Sequence, residues 1–243
     1  MSYPYITFQK SAQKDLETLH SFIKDTKYDN GRNLEWAVFK KYPSLKAQFG
    51  DNFKIKNEEE LRAFINEVYN DKDKEMDKAL RQYEKNWKKV ELNYFLLVDE
   101  IFERRKWPKG KYIAFGTIWG MYPRFLEDKT SQIPFWHNDL NYIPVVISHE
   151  LLHFMFYDYF YERYPQYDQP EKNFFVWHIS EIFNTLIQNS PTWLDCFKIK
   201  SLGYPEHEKI VENIGKKLYT QDKINIDLLT DEIIKEVFEE KLV

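Results

Sequence analysis

Cysteine is almost absent from this sequence. Its 243 residues include a single cysteine, Cys196, so no disulfide can form within the chain and a cysteine-based zinc finger is excluded. The first ten residues contain no apolar run of the kind that a signal peptide needs. No later stretch is both long and apolar enough to suggest a membrane span. The sequence therefore predicts a cytoplasmic protein without a membrane partner.

The chain also lacks a large surplus of charge of either sign. It has 35 basic and 39 acidic residues and a net charge of −4, and the Lys-rich segment 72–89 is interrupted by Asp and Glu. A protein that follows a phosphate backbone presents a basic stripe. Nucleic acid is therefore not expected as a partner, and no feature of the sequence predicts an oligomeric state.

Aromatic side chains, in contrast, are abundant. They make up 18% of the chain, and hydrophobic residues make up 43%, which is typical of a packed globular protein rather than a disordered one. A chain of this length commonly forms one or two domains. We predict a single unit over residues 1–243, in which a soft boundary near residues 70–75 sets off an N-terminal helical region.

Hydrophobic spacing predicts helices on both sides of a short β-rich region. The segments with extended or β-branched patterns are 3–9, 111–121 and 124–136. The segments with helical spacing are 12–25, 57–69, 73–105, 145–163, 170–189, 192–200, 206–219 and 229–241. We therefore predict an α+β fold that is mostly helical, with a small antiparallel sheet preceding the helix at 145–163.

Residues 149–153 of that helix read His-Glu-Leu-Leu-His. Positions i and i+4 lie one turn apart on the same face of a helix, so both imidazoles project to one side. Zn²⁺ binds imidazole nitrogens at about 2.0–2.1 Å, and His149 and His153 are therefore predicted to bind zinc. Glu150 is rotated by about 100° from His149. Its carboxylate can reach a metal-bound water without binding the metal, as a general base requires.

The motif and its flanks resemble the zincin metallopeptidases. Val146-Ile147-Ser148 precede the motif and Phe154-Met155 follow it. The resemblance implies a zinc-dependent hydrolase that cleaves peptide or protein substrates with Glu150 as catalytic base. Glu181, which lies 28 positions after His153 in the predicted helix 170–189, resembles the distal glutamate of the gluzincins. It is the predicted third zinc ligand, because a catalytic zinc usually has three protein ligands and one open position.

Several nearby residues are candidates for supporting roles. His178 lies one turn before Glu181 on the same helix face and is the alternative third ligand. Asn184 is the candidate acceptor for a ligand imidazole N–H, at a place where several gluzincins have an Asp. The candidate donors to a tetrahedral oxyanion are Tyr157, Tyr159, Tyr204 and His207. The resemblance further implies that a sheet edge binds extended substrate, and segment 124–136 is the candidate for it.

Two other classes of function remain open at this point. The first is a zinc-binding regulatory or assembly protein without hydrolytic activity, whose structural zinc would be closed by four protein ligands. The second is a metal-free helical interaction domain in which the five-residue motif arises by chance. Metal analysis separates the second class from the other two.

Overall fold

The computed structural model describes residues 3–24, 34–137, 139–221 and 223–242. It is a mostly helical α+β fold with one small sheet, as the sequence predicts. The chain divides into two compact units. The first comprises residues 1–4, 87–110 and 144–243, and the second comprises residues 5–86 and 111–143. Every helix within the described ranges is too short or too polar to cross a bilayer.

The elements follow the predicted order of helix, sheet and helix. The strands in the described part of the chain are β1 (Ile6–Lys10), β2 (Tyr112–Thr117), β3 (Arg124–Phe125) and β4 (Thr130–Pro134). The α-helices there are α1 (Ala12–Lys24), α2 (Glu58–Ile101), α3 (Ile143–Arg163), α4 (Asn173–Gln188), α5 (Pro191–Phe197), α6 (Glu208–Leu218) and α7 (Ile226–Glu239).

The sheet is mixed, so the prediction of an antiparallel sheet was wrong. Its strand order is β1-β2-β4-β3, and both the β1–β2 and β2–β4 pairs are parallel. Only the short β3 runs antiparallel to its neighbour β4. β-branched and aromatic residues predict which segments are extended, but strand direction depends on the path of the chain between strands.

The segment 124–136 does not form a long exposed edge strand either. Its main strand, β4, has β2 on one side and β3 on the other, and all five of its residues are buried. The edge strand on the β4 side of the sheet is β3, which has two residues. This segment therefore lacks the exposed row of backbone groups that the predicted pairing with a substrate requires.

One continuous helix, α2, replaces the two helices predicted for 57–69 and 73–105. It begins as predicted, because Asn57 Oδ1 accepts hydrogen bonds from the backbone N–H groups of Glu59 and Glu60 at 3.0 and 3.3 Å. Residues 70–74 are all polar but include no proline or glycine, so nothing breaks the backbone pattern. Ile65 and Met76, on either side of this polar stretch, are both buried.

A buried carboxylate, Asp15 of α1, ties together the elements of the second unit. Its Oδ1 accepts hydrogen bonds from the Thr117 hydroxyl and from Gln132 Nε2, the latter at 2.8 Å. Its Oδ2 accepts from the Tyr69 hydroxyl at 2.7 Å and from the backbone N–H of Ile118 at 3.2 Å. Burial raises the pKa of Asp15 to about 6, although these four hydrogen bonds oppose the shift.

This pKa makes stability depend on pH in a defined direction. Between about pH 4 and 6 the folded protein keeps the proton of Asp15 while the unfolded chain has lost it, so the free energy of unfolding falls as pH rises through this window. A pKa shift of this size corresponds to a loss of about 3 kcal/mol in the free energy of unfolding across the window. We expect the free energy of unfolding, measured with urea between pH 4 and 7, to fall with rising pH in the parent. This fall should be absent from Asp15→Asn.

The control for this slope is Asp128→Asn, because the Asp128 side chain is exposed. It is expected to keep the parent's pH dependence. Equal slopes in the parent and in Asp15→Asn would assign the pH dependence to other groups.

In the first unit, α3 and α4 pack against each other through aromatic side chains. The ring centroids of Phe156 and Phe183 are 4.8 Å apart, and both residues are fully buried. Helix α7 joins this core through the Tyr159 hydroxyl, which donates to Asp227 Oδ1 at 2.6 Å. As predicted, α3 ends just before the Tyr164-Pro165 pair. These contacts fix α3 and α4 side by side.

Candidate metal centre

Three side chains from α3 and α4 converge on one point. His149 and His153 lie one turn apart on α3, and Glu181 lies near the middle of α4. The ligand atoms that these three residues offer all lie within 4.8 Å of one another. The structure therefore brings together the two predicted histidines and the predicted third ligand.

The distances between these atoms suit a divalent metal ion. His149 Nε2 and His153 Nε2 are 3.0 Å apart. The Glu181 carboxylate lies 3.2 Å from His149 Nε2 and 3.4 Å from His153 Nε2. Ligand atoms about 2.0–2.1 Å from a central ion are separated by about 3.3–3.4 Å in a tetrahedron and about 2.8–3.0 Å in an octahedron. Glu181 approaches His149 through Oε2 and His153 through Oε1, so the distances alone identify neither the coordination geometry nor the metal.

The centre is largely buried and carries negative charge from carboxylates. The side chains of His149, His153 and Glu181 are 20%, 0% and 4% exposed. Burial lowers the pKa of His149, but its hydrogen bond with Glu181 and the charges of Glu181 and Glu150 outweigh this and raise the pKa to about 8. The surroundings of this imidazole therefore favour a positive charge, which a bound cation also supplies.

Glu150, the predicted catalytic base, lies beside this cluster without contributing one of the converging atoms. It is only 6% exposed. Its negative charge acts on the neighbouring His149, whose pKa it raises. A general base must lie within reach of the water that it deprotonates, and Glu150, as the neighbour of His149, is the candidate for that role at this cluster.

The amide that contacts the His149 ring is Gln188, not Asn184. Gln188 Oε1 lies 2.8 Å from His149 Nδ1. Asn184 Nδ2 instead donates to the backbone carbonyl of His149 at 3.0 Å. The sequence analysis missed Gln188, although a signal was present. Residues 181, 184 and 188 are polar positions at helical spacing in a mostly apolar segment.

His178 belongs to a second cluster, one turn before Glu181. Its Nδ1 lies 2.7 Å from His207 Nε2, and both residues are buried. The rings of Trp177 and Tyr204 contact this pair. Burial lowers the pKa of His207, and burial together with the charge of His207 lowers that of His178 to about 4. Burial therefore favours the neutral form of both imidazoles.

This second cluster accounts for three of the predicted supporting residues. His178, Tyr204 and His207 contact one another or Trp177, and His178 is not among the three residues whose ligand atoms converge in the described part of the chain. The charge of Glu181 nevertheless raises the pKa values of both histidines against the effect of burial. The cluster therefore lies within electrostatic reach of the metal centre.

The two tyrosines of α3 differ in their surroundings. The Tyr157 ring lies 6.1 Å from the His153 ring between centroids, and its hydroxyl accepts a hydrogen bond from Ser180 Oγ at 3.1 Å. The Tyr159 hydroxyl is directed to Asp227 of α7. Of these two candidates for an oxyanion donor, only Tyr157 borders the metal centre.

No protein-family model, no curated protein and no solved structure matches this chain. The case for its function therefore rests on the geometry of this centre.

Proposed function

We propose that the protein is a zinc-dependent hydrolase, and specifically a peptidase. The observation that carries the proposal is the convergence of His149, His153 and Glu181 at metal-ligand spacing, with Glu150 beside them. Two imidazoles and one carboxylate form a ligand set typical of catalytic zinc. Three ligands also leave the open position that a catalytic site needs for water or substrate.

The roles of the residues follow from general principles of hydrolysis. A zinc ion held by His149, His153 and Glu181 would supply a water of lowered pKa and a positive charge next to the carbonyl under attack. Glu150 would accept the proton of the attacking water and donate it to the leaving amine. The oxyanion that forms needs a hydrogen-bond donor. Tyr157 is the candidate for this role because its ring lies beside that of His153.

A zinc-binding regulatory protein without activity is the second candidate. A structural zinc site is closed by four protein ligands, whereas three residues converge here among those that the structure describes. A structural zinc site needs no general base, whereas the carboxylate of Glu150 is buried and acts electrostatically on His149. Both observations favour the hydrolase.

The first test is metal content combined with hydrolysis. We expect purified protein to contain about one zinc per chain, as measured by inductively coupled plasma mass spectrometry, and to cleave members of a quenched-fluorescence peptide library. A chelator such as 1,10-phenanthroline should abolish cleavage, and added Zn²⁺ should restore it. Zinc without cleavage would favour the regulatory protein. Absence of any bound divalent metal, even after incubation with Zn²⁺, would refute both metal-dependent candidates.

A further inference from the structure

Gln188 connects the two helices that carry the metal ligands. It is the last residue of α4, seven positions after Glu181, and so lies two turns further along the same helix face. Its side chain is fully buried and reaches α3, where it contacts Val145, Ser148 and His149. The contacts on α3 are specific enough to fix the orientation of the amide group.

The backbone carbonyl of Val145 determines which end of the amide faces which partner. Gln188 Nε2 lies 3.2 Å from that carbonyl oxygen, which can only accept a hydrogen bond. The second N–H of the amide is directed to Ser148 Oγ, also at 3.2 Å. Ser148 donates its own hydrogen to the Val145 carbonyl at 2.8 Å, so its oxygen is available as an acceptor. The amide oxygen of Gln188 must therefore face His149.

The orientation of the Gln188 amide determines which ring nitrogen of His149 carries the hydrogen. An amide oxygen can only accept, so at 2.8 Å it requires a hydrogen on His149 Nδ1. A neutral imidazole has one N–H, which leaves the lone pair on Nε2. Nε2 is the atom directed toward His153 and Glu181. Hydrogen bonds thus connect the Val145 carbonyl to the Gln188 amide and the amide to His149 Nδ1. They leave Nε2 as the atom that a metal would bind.

We propose that Gln188 is a positioning residue that selects Nε2 of His149 as the metal ligand and holds its ring in place. Gln188 is uncharged, so it does this without adding negative charge. A carboxylate in the same position would make the ligand imidazole more basic. The neutral amide leaves more of the ion's positive charge to act on a bound water, which keeps the pKa of that water low. This last consequence rests on the proposed hydrolase, whereas the selection of Nε2 rests only on the metal binding that the proposed function includes.

The affinity of the protein for Zn²⁺ tests the positioning role. Removal of such a supporting partner typically weakens metal binding 10- to 100-fold, and we expect a loss in this range for Gln188→Leu in competition with a chromophoric chelator. Gln188→Glu retains an acceptor for His149 Nδ1–H but loses the donors to Val145 and Ser148, and is therefore expected to recover part of the loss. A Gln188→Glu affinity no better than that of Gln188→Leu would overturn the acceptor role.

Gln132→Leu is the matched control for this experiment. Gln132 is also a fully buried glutamine, but it donates to Asp15 in the other unit. Its substitution is expected to lower stability and to leave zinc affinity within about twofold of the parent, since a lost buried hydrogen bond acts on folding. Equal losses of affinity in Gln188→Leu and Gln132→Leu would refute a specific role for Gln188.

Nuclear magnetic resonance gives a second readout that does not depend on activity. In protein loaded with ¹¹³Cd²⁺ and labelled with ¹⁵N-histidine, we expect coupling between cadmium and His149 Nε2, together with a slowly exchanging Nδ1–H. That proton should exchange faster in Gln188→Leu. Coupling to Nδ1, or equal exchange in the two proteins, would overturn the proposal.

The pH profile then tests the effect of charge. The acidic limb of kcat/KM is expected to move to higher pH in Gln188→Glu, because a charged acceptor offsets more of the ion's charge. An unmoved limb would refute the effect on the bound water but not the selection of Nε2. If the parent hydrolyses no peptide, the proposed function fails, and the affinity and resonance measurements still decide the role of Gln188.

Discussion

Replacement of Glu150 by Gln is expected to lower peptide hydrolysis about 1,000-fold, since a positioned general base contributes about 10²- to 10⁴-fold. Zinc should remain at one ion per chain, because Glu150 is not one of the three residues whose ligand atoms converge. Gln has nearly the shape of Glu but cannot take a proton from water. The measurement is kcat/KM on the best substrate of the peptide library, alongside metal content.

Glu162→Gln provides the matched control on the same helix. The Glu162 side chain is 72% exposed and forms a surface ion pair with Arg105, an interaction that contributes little to stability. This variant is expected to keep the parent's activity and metal content. If Glu150→Gln hydrolyses peptides as fast as the parent, Glu150 is not the base. If it loses zinc, the loss of activity says nothing about proton transfer.

Replacement of Glu181 by Ala should weaken zinc binding by more than about 100-fold, because even loss of a residue that only orients a ligand costs 10- to 100-fold. Glu181 contributes one of the three converging groups and lies 3.2 and 3.4 Å from the two imidazoles. Affinity is measured by competition with a chromophoric chelator. Circular dichroism checks that the helices are retained.

Two comparisons make this result specific to Glu181. Glu171 lies at an exposed position in the turn just before α4, and Glu171→Ala is expected to bind zinc as the parent does. His178→Ala separates the two candidates for the third ligand, and its affinity should stay within about threefold of the parent because His178 pairs with His207. Equal losses in Glu181→Ala and Glu171→Ala would remove Glu181 from the site. A large loss in His178→Ala would make His178 a ligand.

The sequence predicts those residues of the centre whose positions depend only on helical periodicity. The spacing of His149 and His153 specifies one helix face whatever packs against it. Glu181 was predicted from its distance along the chain and a resemblance, and its position depends on α4 packing beside α3. Gln188 shows the limit of such reasoning. Its spacing from Glu181 places it on the right face, but the atom that it contacts depends on the packing of the two helices.

The fold has a similar limit. Sequence patterns identified the extended segments and most helix ends, because capping residues and prolines act locally. Sequence patterns did not predict that β2 and β4 run parallel. That direction depends on the path that residues 118–129 take between the two strands. They also divided α2 at residues 70–72, where an exposed polar stretch interrupts the hydrophobic pattern but not the helix.

If the proposed ion binds, the location of all three candidate ligand residues on α3 and α4 would link metal supply to the amount of protein in the cell. A ligand that binds only the folded state raises the free energy of unfolding in proportion to the logarithm of its concentration. An ion bound between these helices would then act as a cross-link within the unit that comprises residues 1–4, 87–110 and 144–243. Metal starvation would then increase turnover of the chain by proteases as well as stop its chemistry.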